Sequence, residues 1–270
     1  MPSYLITGAS RGLGFEFLRQ LSADPTNLVI GLVRNKSVTE EKIVREFGGR
    51  NIHLVEGELT DYASLKKAAE DVARITSSLD YLVANAAVIS SWSAWEGLGD
   101  LGAKDPVRLE ADLLESFQAN TVGNIHLFNL FLPLIQKGQA KKVITITTGM
   151  ADIEFIANFD IAIGAPYSIS KAAANAAVAK FSAQYRKDGI LFLSLSPGLV
   201  DTGNNDNPTP EQLEGFTKMA QQFATYAPSW TGPITPKESV EHLLDVIYRA
   251  DINKGYAGSF LSHYGNKQWL

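Results

Sequence analysis

TGASRGLGFE, residues 7–16, follows a short apolar run and opens a segment with helical spacing. In that setting Gly8 suits a tight turn, Gly12 lets backbone N–H groups approach a pyrophosphate, and Gly14 lets a helix lie close to a sheet. The helix N-terminus that follows would face phosphates with its free amides and its dipole. The spacing is G-x-x-x-G-x-G rather than the commoner G-x-G-x-x-G, so its meaning depends on what surrounds it.

Outward from this loop, short β-branched runs alternate with longer helix-period segments. SYLIT (3–7), NLVIGLV (27–33), NIHLVE (51–56), DYLVAN (80–85), KVITITT (142–148), ILFLSLS (190–196) and SFL (259–261) read as strands. Several are apolar almost throughout, as strands covered on both faces must be. Helices are predicted at about 12–22, 38–47, 61–77, 109–136 and 167–187. The rhythm predicts an α/β fold: one doubly wound parallel sheet, right-handed crossovers, helices on both faces, and a single domain over 1–270. Three stretches interrupt it, 86–108, 149–166 and 201–238. Each follows a strand at its C-terminal end, the edge where open α/β sheets bind ligands.

The chain of 270 residues is 45% hydrophobic and 20% charged, enough to fold around one large core. A formal net charge of -5 gives no sign of the basic face or stripe that nucleic acid would need, and no such partner is expected. There is no cysteine, which removes thiolate chemistry, disulfides and Cys-ligated metal and accords with a reducing compartment. No apolar run has membrane-spanning length and MPSYLITGAS has no signal-peptide pattern, so a cytoplasmic protein is expected. His53, His126, His242 and His263 lack metal-ligand spacing, and no metal is predicted.

Arg34 follows the second strand, where a unit binding NAD would carry an acidic residue for the ribose 2′-hydroxyl. Arg11 lies inside the glycine loop. Two guanidinium groups suit a 2′-phosphate, which accepts charge-assisted bidentate hydrogen bonds. The expected cofactor is therefore NADP(H) rather than NAD(H).

Tyr167 and Lys171, in YSISK (167–171), stand at i and i+4 and share one helix face. A phenol loses its proton near pH ~10 and an ammonium near ~10.4. An adjacent ammonium, helped by the positive ring of an oxidised nicotinamide, would favour the phenolate. Bringing tyrosine toward ~7 takes about 4 kcal/mol of differential stabilisation. Tyr167 would then be a general acid matched to neutral pH.

TGASRGLG (7–14), ANAA (84–87), Asn120 in NTVGN, VITITT (143–148), YSISK and PGLVDT (197–202) occur in the order of the short-chain dehydrogenase/reductase family, which the chain resembles over nearly its whole length. The resemblance extends to fungal members that reduce polyketides or related secondary metabolites. It implies a Rossmann-type fold in which Tyr167 protonates a carbonyl oxygen while the nicotinamide delivers hydride to its carbon. Lys171 would hold the nicotinamide ribose, Asn120 would position a water in a proton relay, and Thr148 would stand in for the usual serine, with Thr147 second. The cofactor would run along Gly8, Ser10, Arg11, Gly12, Leu13 and Gly14 to Arg34, past Glu58, Leu59, Asn85 and Ala86. It would end between Tyr167, Lys171 and the segment carrying Pro197, Gly198, Val200 and Thr202. Ala87 replaces a usual glycine, Glu58 a usual aspartate, and the segment between Thr148 and Tyr167 is longer than usual.

Residues 201–238 resemble the family's substrate lid. Within them TPEQLEGFTKMAQQFATYA reads as a helix with Leu213, Phe216, Met219 and Phe223 at three- and four-residue spacing, either core or ligand wall. Trp92 and Trp95 carry the same ambiguity. If these residues face the cleft, the partner is a bulky, apolar or aromatic carbonyl compound. The alanine-rich helix from Tyr167 is one the family uses between subunits, so a homodimer or homotetramer is expected. Alongside a ketoreductase stand two other readings: a cyclase or isomerase that keeps the cofactor, and a non-catalytic NADP-binding regulator.

Overall fold

A computed structural model describes residues 1–48, 51–203 and 209–270. Seven strands, β1 (Ser3–Thr7), β2 (Leu28–Val33), β3 (Ile52–Glu56), β4 (Tyr81–Ala84), β5 (Lys142–Ile146), β6 (Leu191–Ser196) and β7 (Phe260–Ser262), form one sheet in the order β3-β2-β1-β4-β5-β6-β7. Every pairing is parallel. The chain order reverses between β1 and β4, which opens a crevice at their C-terminal ends. The expected doubly wound architecture is borne out.

Alternate side chains of each strand enter opposite cores, as the two-residue period requires. Tyr4, Ile6, Val29, Val33, Ile144 and Leu193 pack with α1 (Gly12–Leu21), α2 (Lys36–Phe47) and α10 (Pro236–Arg249). Leu5, Leu28, Ile30, Leu32, Val143 and Phe192 pack with α3 (Tyr62–Ile75), α6 (Gly123–Ile135) and α8 (Ala165–Tyr185). A third cluster lies over the C-terminal edge. It gathers α7 (Ile153–Phe159), α9 (Pro210–Tyr226) and the tail around Phe155, Ile161, Met219, Phe223 and Trp269.

The helix predicted over 109–136 is three pieces: α5 (Pro106–Phe117), a π-turn (Gln118–Val122) and α6. α5 starts early because Asp105 accepts a hydrogen bond from Arg108 N and Pro106 takes the first turn. α4 (Leu98–Lys104) and α7 form within stretches predicted to be irregular, and α10 lies where no helix is predicted. α10 carries a full capping box, with Thr235 and Glu238 serving each other's backbone N–H. β4 and β5 stop at Ala84 and Ile146, so Asn85, Thr147 and Thr148 lie just past the strand ends. The part of the 201–238 stretch over 204–208 lies outside the described residues.

Candidate active site

The glycine loop is shaped by contacts that exclude side chains. Gly8 has φ +66°, and a Cβ there would lie 2.8 Å from Ala86 Cα. Gly12 is also left-handed, at φ +54°. At Gly14 a Cβ would strike the Gly8 carbonyl and come within 2.7 Å of Asn85 Nδ2. Asn85 joins β4 to this loop by donating Nδ2 to Thr7 O at 3.0 Å, while Thr7 Oγ1 accepts from Asn85 N and Ala86 N, each at 3.0 Å. Thr7, not singled out from the sequence, thus organises the edge at the β1–β4 reversal.

Arg11 is the exposed residue before α1, with extended backbone, and Ser10 beside it is exposed. Leu13 packs partly into the core beneath the loop. Arg34 is largely exposed past β2, its Nε 3.8 Å from Glu58 Oε2. Glu58 therefore faces Arg34, and Leu59 is buried against Gly123 at the start of α6. A third cation, Lys42 on α2, escapes the sequence reading. Its Nζ donates to Ser10 O at 3.4 Å and sits 4.0 Å above the Phe15 ring. Helix-face geometry alone cannot bring residues 32 positions apart together.

Tyr167 is half-buried in the first turn of α8, after Gly164 at φ +62° and Pro166. Lys171, one turn on, is 1% exposed, its Nζ 5.8 Å from the Tyr167 ring centroid. The ammonium donates to Ile146 O, the last carbonyl of β5, at 2.7 Å. Burial pushes Lys171 down to about 8, which leaves it charged at neutral pH, and burial also pushes the Tyr167 phenol up. In the chain by itself desolvation is the cause acting on the phenol and it raises the proton affinity, whereas the lowering expected from the sequence also draws on the positive ring of an oxidised nicotinamide.

Asn120 lies in the π-turn, fully buried. Its Oδ1 accepts from Val88 N at 2.8 Å, while Nδ2 donates to Val88 O and to Ser170 Oγ, each at 2.9 Å. Ser170 Oγ donates in turn to Tyr167 O at 2.7 Å, and Thr121 Oγ1 donates to Ser170 O at 2.8 Å. The π-turn is thereby bonded to the helix that carries Tyr167. Asn120 fixes that helix and the loop after β4 with its own side chain.

Thr148 and Thr147 differ in kind. Thr148 is half-buried and caps a 3-10 turn (Gly149–Ala151), accepting from Met150 N at 3.2 Å, which leaves its hydroxyl hydrogen free to donate. Thr147 is buried, its Oγ1 without a hydrogen-bond partner among the described residues. Across the crevice, Pro197 O accepts from Ser239 Oγ at 2.7 Å and Gly198 is left-handed at φ +82°, flush against His263. Val200 bridges to Ile234, and a Cβ on Gly12 would meet Thr202 Cγ2 at 3.5 Å. The glycine loop and the PGLVDT segment therefore close on each other.

The ambiguous apolar stripe of α9 divides. Met219 and Phe223 are buried against α7, Phe216 is partly covered, and Leu213 is exposed. Trp95 packs edge-on to Phe216, at 6.4 Å, and against Gly215. Trp92 lies under the Arg108 guanidinium at 4.7 Å. Among the described residues no group of three or more His, Asp or Glu could hold a metal ion, and no helix is long and apolar enough to cross a membrane.

Residues 3–213 match the family described as short chain dehydrogenase. The short chain dehydrogenase virK of Hypocrea virens is 53% identical, covering 100% of both chains. The short-chain dehydrogenase/reductase iacC of Pestalotiopsis fici is 50% identical, again over 100% of both. Among solved structures, an NADPH-bound carbonyl reductase from chicken fatty liver superposes with a TM-score of 0.75 at 25% identity, covering 98% of each chain. The resemblance to fungal members is thus borne out. With the family match covering most of the sheet and two fungal relatives aligned from end to end, the chain belongs to the short-chain dehydrogenase/reductase family of oxidoreductases.

Proposed function

We propose that the protein reduces a carbonyl on a bulky, apolar or aromatic small molecule with NADPH, Tyr167 being the proton donor. The observation that carries this is the pair on α8: a half-buried phenol beside an ammonium anchored to the last carbonyl of β5, at the sheet edge that bears the glycine loop. The residues fit a nicotinamide dinucleotide. Gly8 and Gly14 leave no room for a side chain where the backbone turns. An ammonium has three donors, and Lys171 uses one of them on Ile146. The others would meet the nicotinamide ribose hydroxyls. Gly12 and Leu13 would lie along the diphosphate, with Ser10, Arg11, Arg34 and Lys42 around the 2′-phosphate. The carboxamide would meet Pro197, Gly198, Val200 and Thr202.

When bound, the nicotinamide supplies hydride to the carbonyl carbon. The chain does the rest. A phenol is protonated at neutral pH and burial pushes Tyr167 further in that direction, so the donor is loaded when the substrate arrives. As the carbonyl oxygen gains charge, Tyr167 Oη gives up its proton and the Lys171 ammonium stabilises the phenolate left behind. Thr148 Oγ1 has a hydrogen to donate to that oxygen. Asn120, through Ser170, holds the first turn of α8 so that the phenol stays aimed.

The cation trio supports NADPH, as does the NADPH named with the chicken reductase. The aromatic cluster of α7, α9 and Trp95 supports a large apolar substrate, and the fungal relatives accord with a secondary-metabolite intermediate. The two fungal relatives are named as dehydrogenases or reductases, and no feature of the site favours a cyclase or an idle regulator. Exposed Val107, Leu114, Phe117 and Ile169 on α5 and α8 suit a homodimer or homotetramer, which light scattering would test.

The decisive experiment pairs NADPH and NADH titrations with NADPH consumption against a panel of bulky ketones. Tyr167→Phe should keep its NADPH affinity and lose at least about 100-fold in kcat. Wild-type turnover in Tyr167→Phe, or tighter binding of NADH, overturns the proposal.

A further inference from the structure

We propose that Trp269 is a positioning residue: together with Tyr226 it ties the end of α9 to the turn at 148–151, so that the Thr148 hydroxyl is held where the substrate carbonyl arrives. This rests on the reading of Thr148 as a partner of Tyr167.

Gly149, next to Thr148, is gripped from two sides. Its N–H donates to Ser196 Oγ of β6 at 2.9 Å in a buried hydrogen bond. Its α-carbon faces Trp269 so closely that a Cβ would lie 2.7 Å from Trp269 Cβ and 2.8 Å from Cγ. Trp269 is itself immobilised. It is 4% exposed, and its ring stacks on Phe260 of β7 with centroids 4.5 Å apart and planes inclined by 21°.

The tail also grips the elements over the crevice. Trp269 N donates to Tyr226 Oη at 3.0 Å, and that hydroxyl donates to Lys267 O at 3.1 Å. Tyr226 is the last residue of α9, and its ring meets Phe155 and Phe159 of α7 edge-on at 4.7 and 4.9 Å. Lys267 Nζ reaches Asp152 Oδ2 at 3.2 Å, and Asp152 caps α7 through Glu154 N and Phe155 N. One hydroxyl therefore joins α9 to the tail, and one indole joins the tail to the residue after Thr148. Simple core packing would need neither the polar bridge nor a bare α-carbon beside Thr148. A shift of α9 is transmitted through Tyr226 and Trp269 to the catalytic turn.

The test uses the full chain with Trp269→Phe, Trp269→Ala, Tyr226→Phe and Thr148→Ala, alone and combined. Kinetics are run with NADPH and a ketone the wild type turns over, alongside NADPH binding and amide hydrogen exchange. Trp269→Ala should lower kcat by about tenfold to 100-fold, the scale of a small misplacement, while the NADPH Kd stays within about twofold. The amides of Ala151 and Asp152, bonded within the turn to Thr148 O and Gly149 O, should exchange at least about tenfold faster, with β5 unchanged. Trp269→Phe, which keeps a ring on Phe260, should recover most of both, and Tyr226→Phe should show the same pattern more weakly. In a Thr148→Ala background the Trp269 substitutions should cost nothing further.

Wild-type kcat in Trp269→Ala, or losses that multiply with Thr148→Ala, overturn the positioning role while leaving the reductase reading intact. Full activity in Thr148→Ala overturns both the positioning role and the reading of Thr148 as a partner of Tyr167, and again leaves the reductase reading intact. If Trp269→Ala fails to fold, unchanged exchange and kcat in Tyr226→Phe are the refuting result.

Discussion

Replacing Lys171 with methionine should separate stability from activity at a single atom. The ammonium is 1% exposed and hydrogen-bonded to Ile146 O, and burial takes it from an ordinary 10.5 down to about 8. At about 1.4 kcal/mol for each tenfold change in proton affinity, keeping it charged at neutral pH costs the native state ~3 kcal/mol. Methionine removes that cost but leaves the Ile146 carbonyl without its donor, a loss of about 1–3 kcal/mol. The variant should thus be as stable as the wild type at pH 7 or more so, while reductase activity falls at least about 100-fold. The sign of the pH dependence follows from the depressed value. Between about 8 and 10.5 the unfolded chain holds the proton more often than the native one, so wild-type stability rises with pH there. From pH 7 to 9.5 Lys171 should add ~2 kcal/mol to the wild type and nothing to the variant. Urea unfolding of both proteins at the two pH values reads this, because every other titrating group cancels in the double difference. A variant-minus-wild-type stability difference that does not fall between the two pH values would show that the ammonium is not held in a desolvated site.

Three other outcomes are expected. Lys42→Gln and Arg34→Gln should each weaken NADPH binding about tenfold, leave NADH within twofold, and reduce the salt dependence of the NADPH Kd; equal losses for both cofactors in fluorescence titrations would remove these cations from the 2′-phosphate. Gly8→Ala combines φ +66° with a Cβ 2.8 Å from Ala86 Cα, so thermal melts should show about 1–3 kcal/mol of destabilisation and binding should show little residual NADPH affinity. His263 is buried and pushed down to about 4 by desolvation, then by His242. The stability it contributes while neutral is complete above pH 6.5, the ordinary histidine value, and is lost as pH falls toward 4. His263→Phe should flatten that limb of the stability profile, and an unchanged acid limb would refute the reasoning.

How much was legible depended on distance along the chain. The glycine loop, the strand runs and the Tyr167–Lys171 spacing are local patterns, and local patterns carry their geometry with them. The capping box of α10, in Thr235, Pro236 and Glu238, is equally local. Lys42 meets Ser10 across 32 residues, Lys171 meets Ile146 across 25, and Asn120 meets Ser170 across 50. These encounters depend on which strands are neighbours, and that is set by the order β3-β2-β1-β4-β5-β6-β7. The π-turn at Asn120 is of the same kind: it forms in a continuous helical pattern where Thr121 and Asn120 bond to Ser170 and where Gly123 lies against the Leu59 carbonyl.

The amino-acid order alone determined the parallel sheet, the crevice edge, the family and the phenol–ammonium spacing, since each is written in two- or four-residue periods and in glycines that a backbone turn demands. Only the folded chain decided the electrostatics and the bracing. Proton affinity at Tyr167 follows from how much water burial removes, and burial depends on every segment that covers the site. For the same reason Trp269, at the far end of the chain, reads as one more apolar residue until packing sets it against Gly149.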